Sequence, residues 1–582
     1  MKLKHITLFL CSTMLLSSCF VTDLDPKDAL TDATYWNSVN DLELYTNGLY
    51  SSLPIPAIGA DETSENMLKS TYSKLIFDEI TVPVDANSSS WSWGTIRQHN
   101  YFLNRYKSVQ GPDEVINKYL AEVLVFKAST YFDKMVRFGD VPWFEKDLAT
   151  TDKELLYKPR DPRELVLKNI IRDLEIAIEW LPEKENAAPN RLHKDAARTL
   201  LARICLHEGT FRKYNDYSDS YTPESLLKKA ADVAKEIIDT NRYDIVKGTD
   251  QGAGQKSLDG YPLYYSNLFT QEDLSSNKEA ILHRTYIKGI KPHFLAYFAI
   301  NGSKGFNKDF IESFLCKDGK PIGVSPLYKG DITPEQEMEN RDPRIYQIVD
   351  NPNRPYFVDK DVVHTNKQPN IESLNGVTGY YPVKFTPASL EQQEFNLSTY
   401  DLFAFRYAEV LLIYAEAKAE LGECTQSVLD QTINKLRDRV DMAHLTVTPI
   451  ADPNPIDYGY KISPLLYEIR RERRIELIME SRRWFDLLRW NSFKLLENPK
   501  TMLGMRITPE VEELYEEGTF GGHYGKAVID YQGKTYLRIY PDKELNDPAR
   551  VWKPNDRRYL DPIPTQELAI NPQLKQNPGW SE

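Results

Sequence analysis

Cysteine is scarce in this chain, histidine is thinly spread and no hydrophobic run is long, and each shortage removes a class of function. Five cysteines occur among 582 residues, none in C-x-x-C spacing, so neither a disulfide framework nor a zinc ribbon is encoded. The nine histidines form no H-x-x-x-H pair and no G-x-S-x-G elbow is present, which disfavours metal and serine hydrolases. A glycoside hydrolase needs two carboxylates about 5–10 Å apart; so acid-rich a chain offers countless pairs and marks out none. Excess positive charge is also missing. With 85 Asp and Glu spread along its length and a formal charge of −13, the chain is not expected to bind nucleic acid. No cofactor is expected; calcium stays open in so acidic a sequence, although no loop has EF-hand spacing.

The longest apolar run near the start, Ile6 to Leu16, covers only 11 residues, whereas a membrane-spanning helix needs about 20. It follows a short basic head (Lys2, Lys4, His5) and precedes Leu16-Ser17-Ser18-Cys19, the order of a secretory signal peptide. Residues 1–18 are therefore expected to be cleaved. The stretch resembles the start of bacterial lipoproteins, which implies that Cys19 is acylated and anchors the chain to a membrane; several acyl chains hold stably at about 0.8 kcal/mol per buried CH₂. Residues 19–37, with Asp23, Asp25, Pro26 and Asp28, read as a tether. Cys205, Cys316 and Cys424 then remain, one in each of three separate segments, and read as small core residues.

Residues 38–582 far exceed the length at which one hydrophobic core stops growing, and they divide by pattern into three parts. In 38–243, apolar residues recur at three-and-four spacing from Asp41 to Tyr50 and from Pro112 to Phe138, where Leu120, Val123, Leu124, Ala128, Tyr131, Phe132 and Met135 share a face. Further helices are predicted over Pro162–Leu181, Lys194–His207 and Ser225–Asp239. The last two, repeating near 34 residues, resemble a tetratricopeptide pair. Residues 244–400, rich in Gly, Pro, Asn, Asp and Tyr, predict an irregular lobe with a strand over Glu279–Tyr286. Within 401–582, helices are predicted at Leu402–Leu421, Ser427–Arg439 and Ser463–Trp490, followed by a loop-like stretch from Thr508. The fold class is thus mainly α: a tetratricopeptide-like scaffold of helix pairs interrupted by a large irregular lobe.

Several segments carry a family resemblance, in order along the chain. Tyr35-Trp36 with Tyr45, Asn47-Gly48 and Tyr50 comes first, then Trp93 with Ile96-Arg97, Asn100 and Phe102-Leu103. Arg406-Tyr407-Ala408-Glu409-Val410-Leu411-Leu412 leads into Tyr414-Ala415-Glu416-Ala417, followed by Asn434, Arg437 and Arg439. Glu472-Arg473-Arg474 and Glu476-Leu477 precede Glu480, Arg483-Trp484, Asp486-Leu487 and Arg489-Trp490, with Ser481 where Gly is usual. Pro562-Ile563-Pro564, Glu567, Asn571-Pro572 and Gln576-Asn577-Pro578-Gly579-Trp580 close the set. Together they resemble the SusD/RagB family of outer-membrane nutrient-binding lipoproteins. The resemblance implies a SusD-like helix-pair scaffold on the outer face of the outer membrane, a SusC-like TonB-dependent transporter as partner, and no catalysis. Asp23 and Asp25 resemble the acidic signal that exports such lipoproteins to the cell exterior, or equally an ordinary solvated tether.

The Glu/Arg motif of Ser463–Trp490 places Glu468/Arg471 and Glu480/Arg483 three apart, facing pairs on one helix, and reads as structural. Exposed, each would contribute at most about 1 kcal/mol. A glycan site without chemistry needs aromatic faces and a polar rim. Two loop regions offer both. In the first, Asp85, Asn87 and small polar residues flank Trp91 and Trp93; Trp91 is the leading candidate and Trp93 falls on the family pattern as core. The second holds Tyr261, Tyr264, Tyr265, Phe294 and Tyr297. The leading reading is oligosaccharide capture for a transporter. A RagB-like peptide receptor, a surface hydrolase and a scaffold or adhesin are the alternatives.

Overall fold

Ser38 opens the first helix, α1 (Val39–Leu49), with its backbone N–H and its hydroxyl both donating to the Asp41 carboxylate at 2.8 Å, a cap that fixes where the helix begins. The computed structural model describes residues 35–580 apart from 57, 251–254, 373–375 and 523–524. Cys19, Asp23, Asp25 and the predicted signal peptide lie outside the described residues. After α1 come α2 (Gly94–Leu103), α3 (Asp113–Phe138), α4 (Arg163–Trp180), α5 (Lys194–Tyr214) and α6 (Pro223–Asp239). Val123, Leu124, Ala128, Tyr131, Phe132 and Met135 of α3 are buried, the stripe their spacing predicts, while Leu120 is half-buried at its edge.

Helix α3 packs on α4, and α5 packs along α6. The predicted stop after His207 is absent: α5 continues through Gly209 to Tyr214. Two neighbours explain it. A Cβ on Gly209 would come within 2.9 Å of Leu227 of α6, so glycine here permits close helix approach instead of ending the helix. Glu208 beside it is buried against Arg163 (2.6 Å) and Arg212 (2.7 Å), which draws a polar turn into the interior.

After the lobe the chain rejoins this stack: α7 (Tyr407–Glu420) packs on α6, and α9 (Pro464–Glu476), reached through α8 (Ile433–Arg439), packs on α7. The lobe is thus inserted into a continuous helical scaffold. The strands are short. β1 (Met67–Lys69) pairs antiparallel with β3 (Lys304–Phe306), Met67 opposite Phe306, and β2 (Ala280–Arg284) with β6 (Leu402–Arg406), Ala280 opposite Arg406. β4 (Phe357–Asp359) and β5 (Val362–His364) form a hairpin; β7 (Leu503–Arg506), β9 (Lys534–Arg538) and β8 (Val528–Tyr531) form a three-stranded sheet in that order. Leu174, Leu200, Ala230 and Leu411 belong to the scaffold core, while Tyr265, Phe306, Phe310 and Tyr380 centre a second core within the lobe. Cys205 and Cys316 are buried free thiols and Cys424 is half-buried.

Three predicted helices are corrected. Leu402–Leu421 begins as strand β6, because Leu402–Arg406 is buried on both faces and pairs with β2, a continuous apolar run that periodicity cannot assign. Ser427–Arg439 breaks at Thr432 (φ −128°, ψ −89°). Ser463–Trp490 breaks between α9 and α10 (Arg483–Arg489), where Met479 (φ +61°) and Ser481 (φ +60°) are left-handed. That conformation explains why glycine is the expected residue at 481. The predicted Glu480/Arg483 pair is consequently absent: Glu480 binds Lys384 and Arg406 at 2.7 Å each, while Arg483 pairs with Glu65. Glu468 and Arg471 do meet, at 3.5 Å. The stretch from Thr508 is loop-like but carries β8 and β9.

Far from being exposed, the Glu/Arg motif is the buried seam between scaffold and lobe. Glu476 receives Arg406 (2.6 Å), Arg344 (3.0 Å) and Arg439; Glu279 receives Arg406 (2.8 Å) and Arg439 (2.9 Å); Glu472 receives Arg344 (2.6 Å) and Arg437 (3.0 Å). Burial alone would raise the Glu476 carboxyl, but Arg439, Arg406 and Arg344 hold it below the ordinary carboxylate range.

Candidate functional site

Gly260, left-handed at φ +81°, closes the turn in which the Tyr261 N–H donates to the Leu258 carbonyl (2.9 Å), and this turn sets Tyr261 at the protein surface. Tyr346, from a short helix at Arg344–Ile348, meets the Tyr261 ring edge to face (5.4 Å, 89°) and donates its hydroxyl to the Pro262 carbonyl (2.7 Å). Tyr264 stands half-buried beside them with the Lys247 ammonium 4.5 Å from its ring centre. The three rings line an open cleft of about 860 Å³.

Deeper lining groups are occupied. Asn351 donates to the carbonyls of Tyr346 (2.8 Å) and Val349 (2.7 Å), and the Gln347 side-chain amide oxygen accepts the Tyr265 N–H (2.8 Å). At the rim, Lys317, Glu335, Glu339 and Asp441 are exposed, with Asn340 and Asn353 half-exposed. A site of this kind can stack flat, weakly apolar ligand faces on fixed rings and hydrogen-bond their edges from the rim.

The other predicted residues lie elsewhere. Trp91 is 1% exposed, edge-on to Phe138 (4.8 Å) and to Trp93 (5.3 Å); it has no face to offer a ligand and is a core residue. Trp93 is the more exposed of the two, half-buried against the scaffold core with the Lys134 ammonium 4.7 Å from its ring. Asp85 accepts the N–H groups of Asn87 (2.9 Å) and Ser88 (3.0 Å), making it the cap of a turn; Asn87 is exposed on that turn. None of these four residues lines the cleft. Tyr265 is fully buried, donating to the Glu476 carbonyl (2.5 Å) and accepting from Lys384 (2.7 Å), so it belongs to the seam. Tyr297 joins Phe294, Phe298 and Phe395 in an exposed aromatic patch, with Phe395 59% exposed and its ring 5.3 Å from Tyr297. Of the predicted set, only Tyr264 reaches the cleft, together with Tyr261 from the same loop. Tyr346, Asn340 and Asn353 were not anticipated; nothing in local pattern separates them from other lobe residues.

Comparison with known proteins covers most of the chain. Residues 267–580 match the family model described as "SusD family", and residues 22–206 match one described as "starch-binding associating with outer membrane". A SusD-like protein from Formosa agariphila is 24% identical over 521 residues, covering 84% of this chain and 91% of its own. A SusD-like protein from Bacteroides ovatus is 24% identical over 610 residues, covering 97% and 96%. Among solved structures, a SusD-like carbohydrate binding protein from Bacteroides fragilis superposes with a TM-score of 0.70 at 22% identity, covering 93% of this chain and all of its own. Another, solved with a xylogluco-oligosaccharide, gives 0.58 at 18% identity, covering 91% and 97%.

Proposed function

The chain belongs to the SusD family, which its match over residues 267–580 establishes, and from that premise we propose that it captures oligosaccharides without cleaving them. In this reading the protein is a lipoprotein on the outer face of the outer membrane, and it hands its ligand to a TonB-dependent transporter of the SusC type. The observation that carries the binding site is the tyrosine cleft: Tyr261, 36% exposed, is held by the fixed Tyr346 ring, and amide and charged groups surround the pair. Sugar rings present apolar C–H faces to such rings and hydroxyls to such a rim. The xylogluco-oligosaccharide in one structural relative supports the ligand class. No described helix is long and apolar enough to cross a membrane; attachment in this reading is through lipid on Cys19.

Lys317, Glu335, Glu339 and Asp441 at the rim favour a second reading, a peptide receptor, and one experiment separates the two. Purified protein is screened against glycan and peptide panels by calorimetry, with product analysis in the same tubes. Tyr261→Ala and Tyr264→Ala are each expected to weaken glycan binding by about 1–2 kcal/mol, roughly 5- to 30-fold, with no product released. Tyr297→Ala is expected to leave affinity unchanged. Peptide binding without glycan binding would replace the sugar reading, and product release would make the protein an enzyme.

A further inference from the structure

Asp401 differs from the buried carboxylates that arginine matches. Glu476, Glu279, Glu208 and Glu416 are each matched by arginine, yet Asp401, 2% exposed, has His283 as its one ion-pair partner among the described residues, at 3.6 Å. That separation is too long for a hydrogen bond. Its two oxygens are positioned by backbone instead: Oδ2 accepts the Leu274 N–H (3.1 Å) and Oδ1 the Tyr286 N–H (3.2 Å). Asp273, exposed on the adjoining turn, has Oδ1 held by the Ser275 N–H (2.7 Å). One donor atom each from Asp273, His283 and Asp401 lie within 4.8 Å of one another.

We propose that Asp273, His283 and Asp401 form a binding site for a divalent transition-metal ion of the zinc type, at the junction of strands β2 and β6 with the turn at 271–275. An ion at about 2.0–2.2 Å from nitrogen and oxygen ligands sets them roughly 3.3 Å apart, so the three donors must close by up to about 1.5 Å, a movement that rotation of the exposed Asp273 supplies. Calcium selects six to eight oxygen ligands; an imidazole with two carboxylates suits zinc and its first-row neighbours. Three ligands from the chain leave coordination positions for water, and a bound ion would supply the positive charge that Asp401 lacks.

The test uses untagged, chelator-treated protein titrated with Co²⁺ and then Zn²⁺. Expected are a visible Co²⁺ absorption saturating at one equivalent, its displacement by Zn²⁺, and a rise in thermal midpoint on Zn²⁺ addition. His283→Gln should weaken binding by more than the roughly 10–100-fold that loss of an outer-shell partner costs. Asp273→Asn, at an exposed position whose loss leaves the fold intact, should also weaken it, so the test survives should His283→Gln not fold. Absence of one-equivalent binding, or binding unchanged in Asp273→Asn, overturns the site. Both readouts are independent of glycan binding, so failure of the capture reading leaves this result standing.

Discussion

The helical scaffold and the seam that joins it to the lobe are equally buried and are held by opposite means. Leu174, Leu200 and Leu411 pack in a core that any close-fitting aliphatic set could fill. At the seam, Arg344, Arg406 and Arg439 converge on Glu279, Glu472 and Glu476 with scarcely any exposure. Scaffold stability comes from removing apolar area from water. The seam instead gains specificity of placement, because ions taken out of water are tolerated only in the one geometry that pairs them all. The difference teaches where the lobe's position is decided: on three carboxylates and their arginines.

Breaking the seam should cost most. Glu476→Ala leaves three guanidinium groups short of a partner and is expected to destabilise by about 3–5 kcal/mol, read as a lower urea midpoint; a loss under about 1 kcal/mol would make the seam no more than a surface network. Leu174→Ala, at a fully buried scaffold position, should cost about 3 kcal/mol through lost transfer energy and a cavity.

Acid sharpens the contrast. Glu476, held below the ordinary glutamate value of 4.5 by Arg439, Arg406 and Arg344 against burial, contributes stability above that value and loses it as pH falls through the depressed pKa. The Glu476→Ala penalty should therefore shrink below about pH 4.5, whereas the Leu174→Ala penalty should not move with pH. Asp61 and Asp350 are shifted the other way, up to about 6, chiefly by burial. Their protonated forms favour the fold, so unfolding at pH 5.5 should be at least as difficult as at pH 7.5, before the seam's contribution begins to decline below about pH 4.5; a steady decline from pH 7.5 would contradict these shifts.

The smallest effect is at Ser481. Its left-handed backbone costs roughly 1–2 kcal/mol for a residue with a Cβ, so Ser481→Gly should raise the urea midpoint by up to about 1 kcal/mol equivalent, part of the relief being returned as unfolded-state entropy.

The scaffold was legible because its signal is local. The three-and-four stripe of Val123, Leu124, Ala128 and Met135 survives any neighbour, and α3 ends where its pattern does. Strand β6 was not legible, since Leu402–Arg406 continues without a break into the apolar start of α7 and only β2, remote in sequence, makes it a strand. The same holds for the charged motif, whose burial depends on lobe residues such as Glu279 and Arg344. At the candidate site, Tyr261 and Tyr264 could be read from a loop rich in tyrosine and turn residues. Trp91 could not, because Phe138 covers it and nothing near position 91 in the sequence announces that contact. Tyr346 is bound to the cleft through Pro262, a pairing no local pattern records.

Residues 560–580 have a further consequence for how the protein is made. The backbone N–H groups of Thr565 and Gln566 donate to the carbonyls of Pro83 and Val84 (3.0 and 2.9 Å), and the Trp580 indole N–H to that of Leu560 (2.9 Å). The loop at Pro83 and Val84 thus gains these partners only once the chain has been made as far as Gln566. A product stopping before Thr565 is expected to leave that loop more open to proteases, which limited proteolysis would show.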